Sequence, residues 1–513
     1  MIEPNGQSAL PPADVCQRAL NARDARFDGL FFVGIVTTGV YCRPVCPTRR
    51  ARPANRRFFH SAAAAEHAGF RPCLTCRPEL APGRAPVDAV PRLAYRAARR
   101  IAAGALNTHS VAELAGQLSV SERHLRRALE RELGVSPVEL AQTHRLLLAK
   151  RLLADTGLPV TRIAYASGFQ SLRRFNTAFR DRYRLSPSAL RRSLNRDGVA
   201  RRSGARRASG AKPARDLLRL TLAYRPPLAW EALVTLLGRD ALPGVETVQG
   251  GRYARTVRLA GRSGIVLVED PRRRGDGAVR HPSPHIDVDI SPSLLPALMP
   301  LLARLRLLFD LDAEPAVVDG SLAQGGLGAL VRRRPGVRIP GAFDGFEVAC
   351  RVLLRGRARP GRGASELARR FVESLGDPAD TGIPGLTWFA PGAERVAEAR
   401  PSTLVSLGLP PRRAGALTAL AQRVAHGDLR LEPGTDVAET YRRLMEIDGV
   451  GDQLATSIVM RALGWPDAFP VTDRGLQRAS GASTPSRLRE RAEAWRPWRA
   501  YAAVHLWMKD GER

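Results

Sequence analysis

The sequence has 513 residues, 44% of them hydrophobic and 25% charged, a composition typical of folded proteins and a length that predicts about three to five domains. The 80 lysines and arginines outnumber the 49 acidic residues, and the net charge of +31 indicates a polyanionic partner such as DNA or RNA. The amino terminus lacks a signal pattern, and prolines and arginines interrupt the most apolar stretch, residues 294–309. We therefore expect a cytoplasmic protein without a membrane partner.

Cysteines near the amino terminus form two close pairs, Cys42 with Cys46 and Cys73 with Cys76. Four thiolates at these spacings can surround one Zn²⁺ ion tetrahedrally. Zinc keeps such thiolates deprotonated at neutral pH, so the predicted ion would both stabilise a small domain and activate its sulfur atoms. A zinc site that serves the structure alone is the alternative interpretation.

The residues around these cysteines, 27–47 and 68–78, resemble the amino-terminal domain of the Ada-type methylation-damage sensor. The resemblance implies that Cys42 is a zinc ligand that also accepts a methyl group irreversibly from a DNA phosphotriester. Methylation would remove one negative charge from the zinc tetrathiolate and so strengthen binding to the DNA backbone. Arg43 is predicted to contact a phosphate.

Two helix-turn-helix units are predicted in the next region. Ser110 and Glu113 have the spacing of a capping box, and Ser121 begins the following helix. In the second unit Gly168 permits the turn between two amphipathic helices. Single helix pairs are usually structural, but the tandem arrangement resembles an AraC-type DNA-binding domain, which implies contacts with successive major-groove faces. The predicted contacts are Arg123, Arg126, Arg127, Gln170, Arg173, Arg174 and Asn176.

A basic linker and a small sheet-containing domain follow. Residues 193–214 combine arginines with Gly, Ser and Ala, a composition typical of a flexible tether. Apolar residues on both sides of Gly261 predict a β-hairpin. The region 215–303 resembles the amino-terminal α/β domain of DNA-3-methyladenine glycosylase II, which implies an antiparallel sheet.

A helix, a tight hairpin and a second helix are predicted around Gly449, Val450 and Gly451. We expect both glycines to allow positive φ, so that backbone N–H groups at the start of the second helix can approach a DNA phosphate. Asp473 opens another short helix, where the helix dipole and free N–H groups favour its ionised form. Taken singly, these features are an ordinary helix connection and a helix N-cap.

Together they closely resemble the helix-hairpin-helix DNA glycosylase superfamily, and the DNA-3-methyladenine glycosylase II branch in particular, over about residues 215–513. The resemblance implies that Asp473 stabilises the sugar cation formed as a damaged base departs. It also implies that Trp507 packs beside the extruded base. Bifunctional members carry a Schiff-base lysine where this chain has Gln453, so we expect base removal without strand cleavage and without a cofactor.

Two positions depart from the family pattern. Residues 357–360 read Arg-Ala-Arg-Pro where the family inserts a bulky wedge into the duplex, and Asp448 replaces the hairpin proline. Loss of the wedge would slow nucleotide flipping or transfer that role to arginine. The alternative function is therefore a methylation-responsive transcription factor whose glycosylase half is weak or silent.

The sequence thus predicts a multidomain α+β protein that repairs alkylated DNA and regulates transcription. Its expected partners are alkylated double-stranded DNA, a promoter operator and RNA polymerase. With these resemblances we expect a monomeric bacterial protein that is associated with the nucleoid. The predicted domains are a four-cysteine zinc-binding α/β domain (1–80), an all-α tandem helix-turn-helix domain (90–192), the linker (193–214), a small antiparallel-sheet α/β domain (215–303) and an all-α helix-hairpin-helix glycosylase domain (304–513).

Overall fold

The computed structural model of the chain contains all the classes of domain that the sequence predicts, and their elements are described below. Residues 357–360, where the family's wedge sequence is replaced, and most of the predicted linker lie outside the described residues. Within the described part, no helix has the length and apolar character needed to cross a bilayer. The structure describes residues 10–83, 93–196, 217–273, 284–355 and 362–511.

The amino-terminal region is a small sheet flanked by two helices. Its elements are α1 (Ala13–Ala22), β1 (Phe32–Ile35), β2 (Val40–Cys42), β3 (Arg56–Phe59), α2 (Ala62–His67) and β4 (Arg71–Pro72). The strand order is β3-β1-β2-β4, in which β2 and β4 run parallel and the other pairs run antiparallel. Cys42 ends β2 and Cys73 follows β4 directly, so the parallel pairing brings the two cysteine pairs together.

The second region is helical and contains both predicted helix-turn-helix units. The Ser110 hydroxyl and the Glu113 carboxylate form the predicted capping box at the start of the first unit. Ser121 caps the next helix, and Gly168 has φ +87° in the turn of the second unit. The helices are α3 (Leu93–Ala102), α4 (Val111–Gln117), α5 (Glu122–Leu133), α6 (Pro137–Asp155), α7 (Val160–Ala166), α8 (Leu172–Tyr183) and α9 (Pro187–Arg196).

An antiparallel sheet with the strand order β5-β9-β8-β7-β6 opens the carboxy-terminal half. The predicted hairpin is confirmed as the β7–β8 pair, which turns at Ala260 and Gly261, both with positive φ. The elements are β5 (Leu218–Ala223), α10 (Trp230–Arg239), β6 (Glu246–Gln249), β7 (Arg252–Leu259), β8 (Arg262–Glu269) and β9 (His285–Ile290).

Helices form most of the remainder, together with a short ribbon of β10 (Asp377–Pro378) and β11 (Trp388–Phe389). The hairpin that sequence analysis singled out joins α19 (Val437–Met445) to α20 (Asp452–Ala462), and Asp473 immediately precedes α21 (Arg474–Ser480). The helices are α11 (Leu298–Leu308), α12 (Pro315–Leu322), α13 (Gly328–Arg333), α14 (Gly345–Arg355), α15 (Arg362–Leu375), α16 (Ala393–Glu398), α17 (Pro401–Ser406), α18 (Pro411–Ala425), α19 (Val437–Met445), α20 (Asp452–Ala462), α21 (Arg474–Ser480), α22 (Pro485–Ala492) and α23 (Arg499–Asp510).

The second helix-turn-helix unit and the five-stranded sheet share one hydrophobic core. Buried Phe175 and Phe179 of α8 belong to the same cluster as Leu220 and Val288 of the sheet. The first unit contacts the carboxy-terminal half elsewhere, because Arg96 of α3 donates to the Gly434 carbonyl at 2.8 Å, shortly before α19 begins. The two halves therefore pack against each other as neighbours with a common interior.

Candidate metal centre and candidate active site

The four predicted zinc ligands meet at one point beside the amino-terminal sheet. The sulfur atoms of Cys42, Cys46, Cys73 and Cys76 all lie within 4.8 Å of one another, and all four residues are buried. Thiolates bound to Zn²⁺ at about 2.3 Å in a tetrahedron stand about 3.8 Å apart, so this cluster is close to the required size. A set of four sulfur donors without an open position fits zinc.

Two hydrogen bonds distinguish the sulfur atoms. The backbone N–H of Arg43 donates to Cys76 Sγ at 3.4 Å, and the Thr48 hydroxyl lies 3.0 Å from Cys46 Sγ. Cys42, Cys46 and Cys73 are each 7% exposed, whereas Cys76 is 2% exposed. Exposure alone therefore does not select Cys42, but these hydrogen bonds lower the nucleophilicity of the Cys76 and Cys46 sulfur atoms.

The zinc cluster is anchored to the helix-turn-helix region through Lys150. This residue lies on α6 and is 1% exposed. Its ammonium group donates to the Cys73 carbonyl at 3.0 Å and to Glu79 Oε2 at 2.6 Å. Arg77 adds a second connection, because it pairs with Asp155 of the same helix at 2.6 Å. The second cysteine pair is thus bonded to the domain that follows it.

Arg43 does not occupy the position predicted from the sequence. Its side chain is fully buried, with Nε 2.8 Å from Asp28 Oδ1 and Nη1 3.1 Å from the Cys76 carbonyl. The guanidinium also contacts Asp28 through Nη2. A phosphate cannot reach this group in the structure, so the prediction of a DNA contact is wrong. Arg43 instead braces the loop between Cys42 and Cys46.

The predicted major-groove residues lie on α5 and α8, except Gln170, which lies in the turn just before α8. Phe175 and Phe179 face the core, as the periodicity predicts, and turn the polar face of α8 outward. The side chains of Arg123, Arg127, Gln170, Arg173 and Arg174 are exposed, while Arg126 and Asn176 are partly buried. Arg126 forms an ion pair with Glu122 at 2.9 Å, and Gln170 donates to the Asn107 carbonyl at 3.2 Å.

The α19–α20 hairpin uses its two glycines differently. Gly449 has φ +88°, and a Cβ there would lie 2.9 Å from the Arg412 carbonyl oxygen. Gly451 caps α20 with φ −95° and ψ 176°, so this glycine does not use the positive φ that it allows. Space is open around Gly451, whereas Val450 is buried. Asp448 pairs with Arg412 at 2.8 Å, which offsets its negative charge.

Asp473 caps α21 in the candidate active site. Its Oδ1 atom accepts the Leu476 N–H at 2.8 Å and the Trp507 indole N–H at 3.2 Å. Its Oδ2 atom accepts the Gln453 side-chain amide at 3.4 Å. Asp473 and Trp507 are half-buried, whereas Gln453 is exposed at the start of α20. The three residues predicted from separate family positions therefore meet in one place.

The charged groups around Asp473 leave its carboxylate available. Among the described residues Asp473 forms no ion pair, and the nearby Arg478 is paired with Asp510 at 2.7 Å. Lys509 donates to the Ala479 carbonyl at 2.8 Å. Asp473 is therefore not committed to a structural arginine in the described part of the chain.

Sequence reasoning missed two partners that the structure shows. Asp28 was not identified as the counter-charge of Arg43. Gln453 was identified as the replacement for a lysine but not as a neighbour of Asp473. The sequence did contain a signal that residue 453 lies near Asp473. In bifunctional members the lysine at this position and the catalytic carboxylate act on the same sugar carbon.

Comparisons with known proteins agree with this arrangement. Three family models match the chain, namely the Metal binding domain of Ada over residues 15–79, a Helix-turn-helix domain over 114–193 and the AlkA N-terminal domain over 219–344. The chain is similar to the DNA-3-methyladenine glycosylase 2 of Escherichia coli, with 33% identity over 57% of this chain and 97% of that protein.

Two further relatives match the amino-terminal half or the whole chain. The Regulatory protein ada of Salmonella typhimurium is 37% identical over 32% of this chain and 44% of that protein. The Probable bifunctional transcriptional activator/DNA repair enzyme AlkA of Mycobacterium tuberculosis is 38% identical over 96% of this chain and 95% of that protein. The expected kinship is confirmed, and the chain belongs to the family of bifunctional transcriptional activator and DNA repair proteins represented by that AlkA.

Proposed function

We propose that this protein is a monofunctional DNA glycosylase that releases alkylated purines of the 3-methyladenine type and also accepts a methyl group from DNA phosphotriesters while regulating transcription. The observation that carries the proposal is the carboxylate of Asp473, which lies beside the hairpin helix and forms no ion pair among the described residues. The names and domain composition of the relatives support the same function.

The chemistry follows from a negative charge facing a sugar that becomes positive. As the bond between C1′ and the purine nitrogen breaks, its electron pair leaves with the base and the deoxyribose becomes an oxocarbenium-like cation. Asp473 stabilises this cation, water adds at C1′, and an abasic site remains. An alkylated purine is already cationic and leaves without strong acid catalysis. The ring of Trp507 beside Asp473 offers a face for such a base.

Strand cleavage is not expected from this site. A Schiff base requires an amine near C1′, and Gln453 supplies an amide instead. Lys509 is hydrogen-bonded to the Ala479 carbonyl rather than to Asp473. Hydrolysis needs only water and these side chains, so we propose that the glycosylase uses no cofactor.

DNA binding is divided between two surfaces. The backbone N–H groups after Gly451 would hold a phosphate without reading sequence, and Gly449 and Val450 shape that turn. The exposed side chains of α5 and α8 would read an operator in the major groove. A monomeric state, RNA polymerase as a further partner and a nucleoid location stay predictions. The major-groove set comprises Arg123, Arg126, Arg127, Gln170, Arg173, Arg174 and Asn176.

Cys42 is the proposed methyl acceptor. Zinc bound by Cys42, Cys46, Cys73 and Cys76 would keep the sulfurs as thiolates. The Cys42 sulfur attacks the methyl carbon, a C–S bond forms, and the C–O bond breaks with its electron pair on the phosphodiester oxygen. Cys76 and Cys46 each have a hydrogen-bonding partner that competes with nucleophilic attack, which favours Cys42 over these two sulfurs.

The glycosylase proposal is tested on the full-length chain with Asp473→Asn, because asparagine preserves the helix cap and removes the charge. We expect 3-methyladenine release from methylated duplex DNA to fall by at least about 100-fold. Asp377→Asn is the matched control, since this exposed carboxylate pairs with Arg258 away from the site. Equally slow release by wild type and Asp473→Asn would favour the alternative of a transcription factor with a silent glycosylase half.

The methyl-acceptor proposal is tested by peptide mass spectrometry after incubation with DNA that contains methyl phosphotriesters. We expect one added methyl group on the peptide that contains Cys42. A methyl group on Cys73 instead would move the acceptor role, and the absence of any methylated cysteine would leave the four-cysteine centre a structural zinc site.

A further inference from the structure

Gln453 contacts one oxygen of the candidate catalytic carboxylate, and Trp507 contacts the other. Gln453 is the second residue of α20, so the hairpin that would bind DNA also sets the position of the Gln453 backbone. Its Nε2 atom lies 3.4 Å from Asp473 Oδ2, a long hydrogen bond. Catalytic hydrogen bonds are often long without substrate and shorten in the complex. Only the amide nitrogen can donate to a carboxylate, so the amide oxygen must point away from Oδ2.

The two oxygens of Asp473 have different environments. Oδ1 already accepts the Leu476 N–H at 2.8 Å and the Trp507 N–H at 3.2 Å. Oδ2 accepts, among the described contacts, the Gln453 amide alone. Since a carboxylate oxygen can accept about two hydrogen bonds, Oδ2 is the oxygen with capacity to face the sugar or a water molecule. The residue that orients Oδ2 therefore influences the reaction directly.

We propose that Gln453 is a positioning residue of the glycosylase, holding Asp473 Oδ2 through its amide N–H and the attacking water through its amide oxygen. This inference rests on the proposed function. In the balanced step, the C1′–N bond breaks with its electron pair on the base. The water oxygen then bonds to C1′, and its released proton passes to Asp473. Gln453 donates and accepts hydrogen bonds throughout and forms no covalent bond.

Two charged groups near this pair, Arg478 and Asp452, already have partners. Arg478 is bound to Asp510, and Asp452 of the same turn accepts the Tyr441 hydroxyl at 2.7 Å. Arg474 follows Asp473 in the chain and is exposed. A neutral amide at position 453 therefore adds no charge to a site whose function needs an ionised carboxylate. An acidic side chain there would oppose that ionisation.

The experiment uses full-length Gln453→Met, which keeps the side-chain length and removes both hydrogen-bonding groups. We expect single-turnover base release at saturating methylated DNA to slow by about 10- to 100-fold. Affinity for a duplex with a tetrahydrofuran abasic site should stay within about twofold, because the phosphate contacts are unchanged. Gln422→Met, at an exposed glutamine of α18, is the matched control and should change neither quantity.

A second variant provides a readout that a purely structural role would not alter. Gln453→Glu places a like charge beside Asp473, so the acid side of the profile of release rate against pH should move upward by about one pH unit or more. Gln422→Glu should leave the profile unchanged. Suppose that the wild-type protein releases the base, that Gln453→Met releases it at the same rate, and that Gln453→Glu has the same pH profile. These results together would overturn the inference and leave the proposed function intact.

A third variant locates position 453 independently of the hydrolytic rate. In Gln453→Lys the amine should attack C1′ and displace the base. The ring-opened imine that follows is trapped by added borohydride as a covalent protein–DNA adduct. Failure to form this adduct, in a variant that still binds the abasic duplex, would place residue 453 too far from the sugar and would also overturn the inference. Absence of base release by wild type would instead count against the proposed function.

Discussion

Replacing Asp28 by asparagine should weaken zinc retention, because it removes the counter-charge of a buried arginine inside the ligand loop. The side chains of Arg43 and Asp28 are 0% and 4% exposed, and Nε lies 2.8 Å from Oδ1. An arginine side chain cannot lose its proton in a protein, so its charge persists in the variant. Because Arg43 follows Cys42 directly in the chain, a displacement of Arg43 would also displace this predicted metal ligand.

The magnitude follows from the burial of the pair. Removing one partner of a buried ion pair costs about 3–5 kcal/mol. The lower end applies here, because the Cys76 carbonyl still accepts Nη1–H of Arg43 at 3.1 Å and asparagine keeps the shape of the lost carboxylate. About 3 kcal/mol corresponds to about a 100-fold loss of apparent zinc affinity at 1.4 kcal/mol per factor of ten.

The assay follows zinc transfer from the full-length protein to a chromogenic chelator, together with thermal unfolding. Asp14→Asn is the matched control, since Asp14 pairs with Arg18 at 2.7 Å with both side chains more than 60% exposed, at 64% and 71%. An exposed pair of this kind contributes less than about 1 kcal/mol. If Asp28→Asn releases zinc no faster than Asp14→Asn, the bracing role of Arg43 is refuted.

Three further predictions concern the glycosylase half. Gly449→Ala should lower the free energy of unfolding by about 1–3 kcal/mol, because residue 449 has a φ of +88° and the Arg412 carbonyl lies close to it. Gly451→Ala should unfold like wild type in thermal melts and should mainly weaken DNA binding, which fluorescence anisotropy measures. Trp507→Phe keeps a ring but loses the N–H donated to Asp473, so single-turnover release should slow by about tenfold, and an unchanged rate would contradict this contact. Burial lowers the pKa of His505 from 6.5 to about 4, so only the unfolded chain gains a proton between these values. Stability should therefore fall by up to about 3 kcal/mol as pH drops through that window, and thermal melts of His505→Leu should show less of this loss.

Local features could be predicted from the sequence because their partners lie a few residues apart. The capping box at Ser110, the turn at Gly168 and the hairpin at Gly449 depend on backbone geometry and hydrogen bonds within one helical turn. The spacing of the cysteines was sufficient to predict the four zinc ligands, since four sulfur atoms can surround one ion in few ways. Gly451 shows the limit, because glycine permits positive φ without requiring it.

What the tertiary structure alone decided is which distant groups meet. Arg43 could be an exposed phosphate contact by its sequence, but packing of the sheet buries it against Asp28. The sequence identified Asp473 as an N-terminal helix residue, whereas the different environments of its two oxygens depend on Trp507 from α23 and Gln453 from α20. Burial and long-range contact depend on how the elements pack, and packing is a property of the whole chain that no local pattern contains.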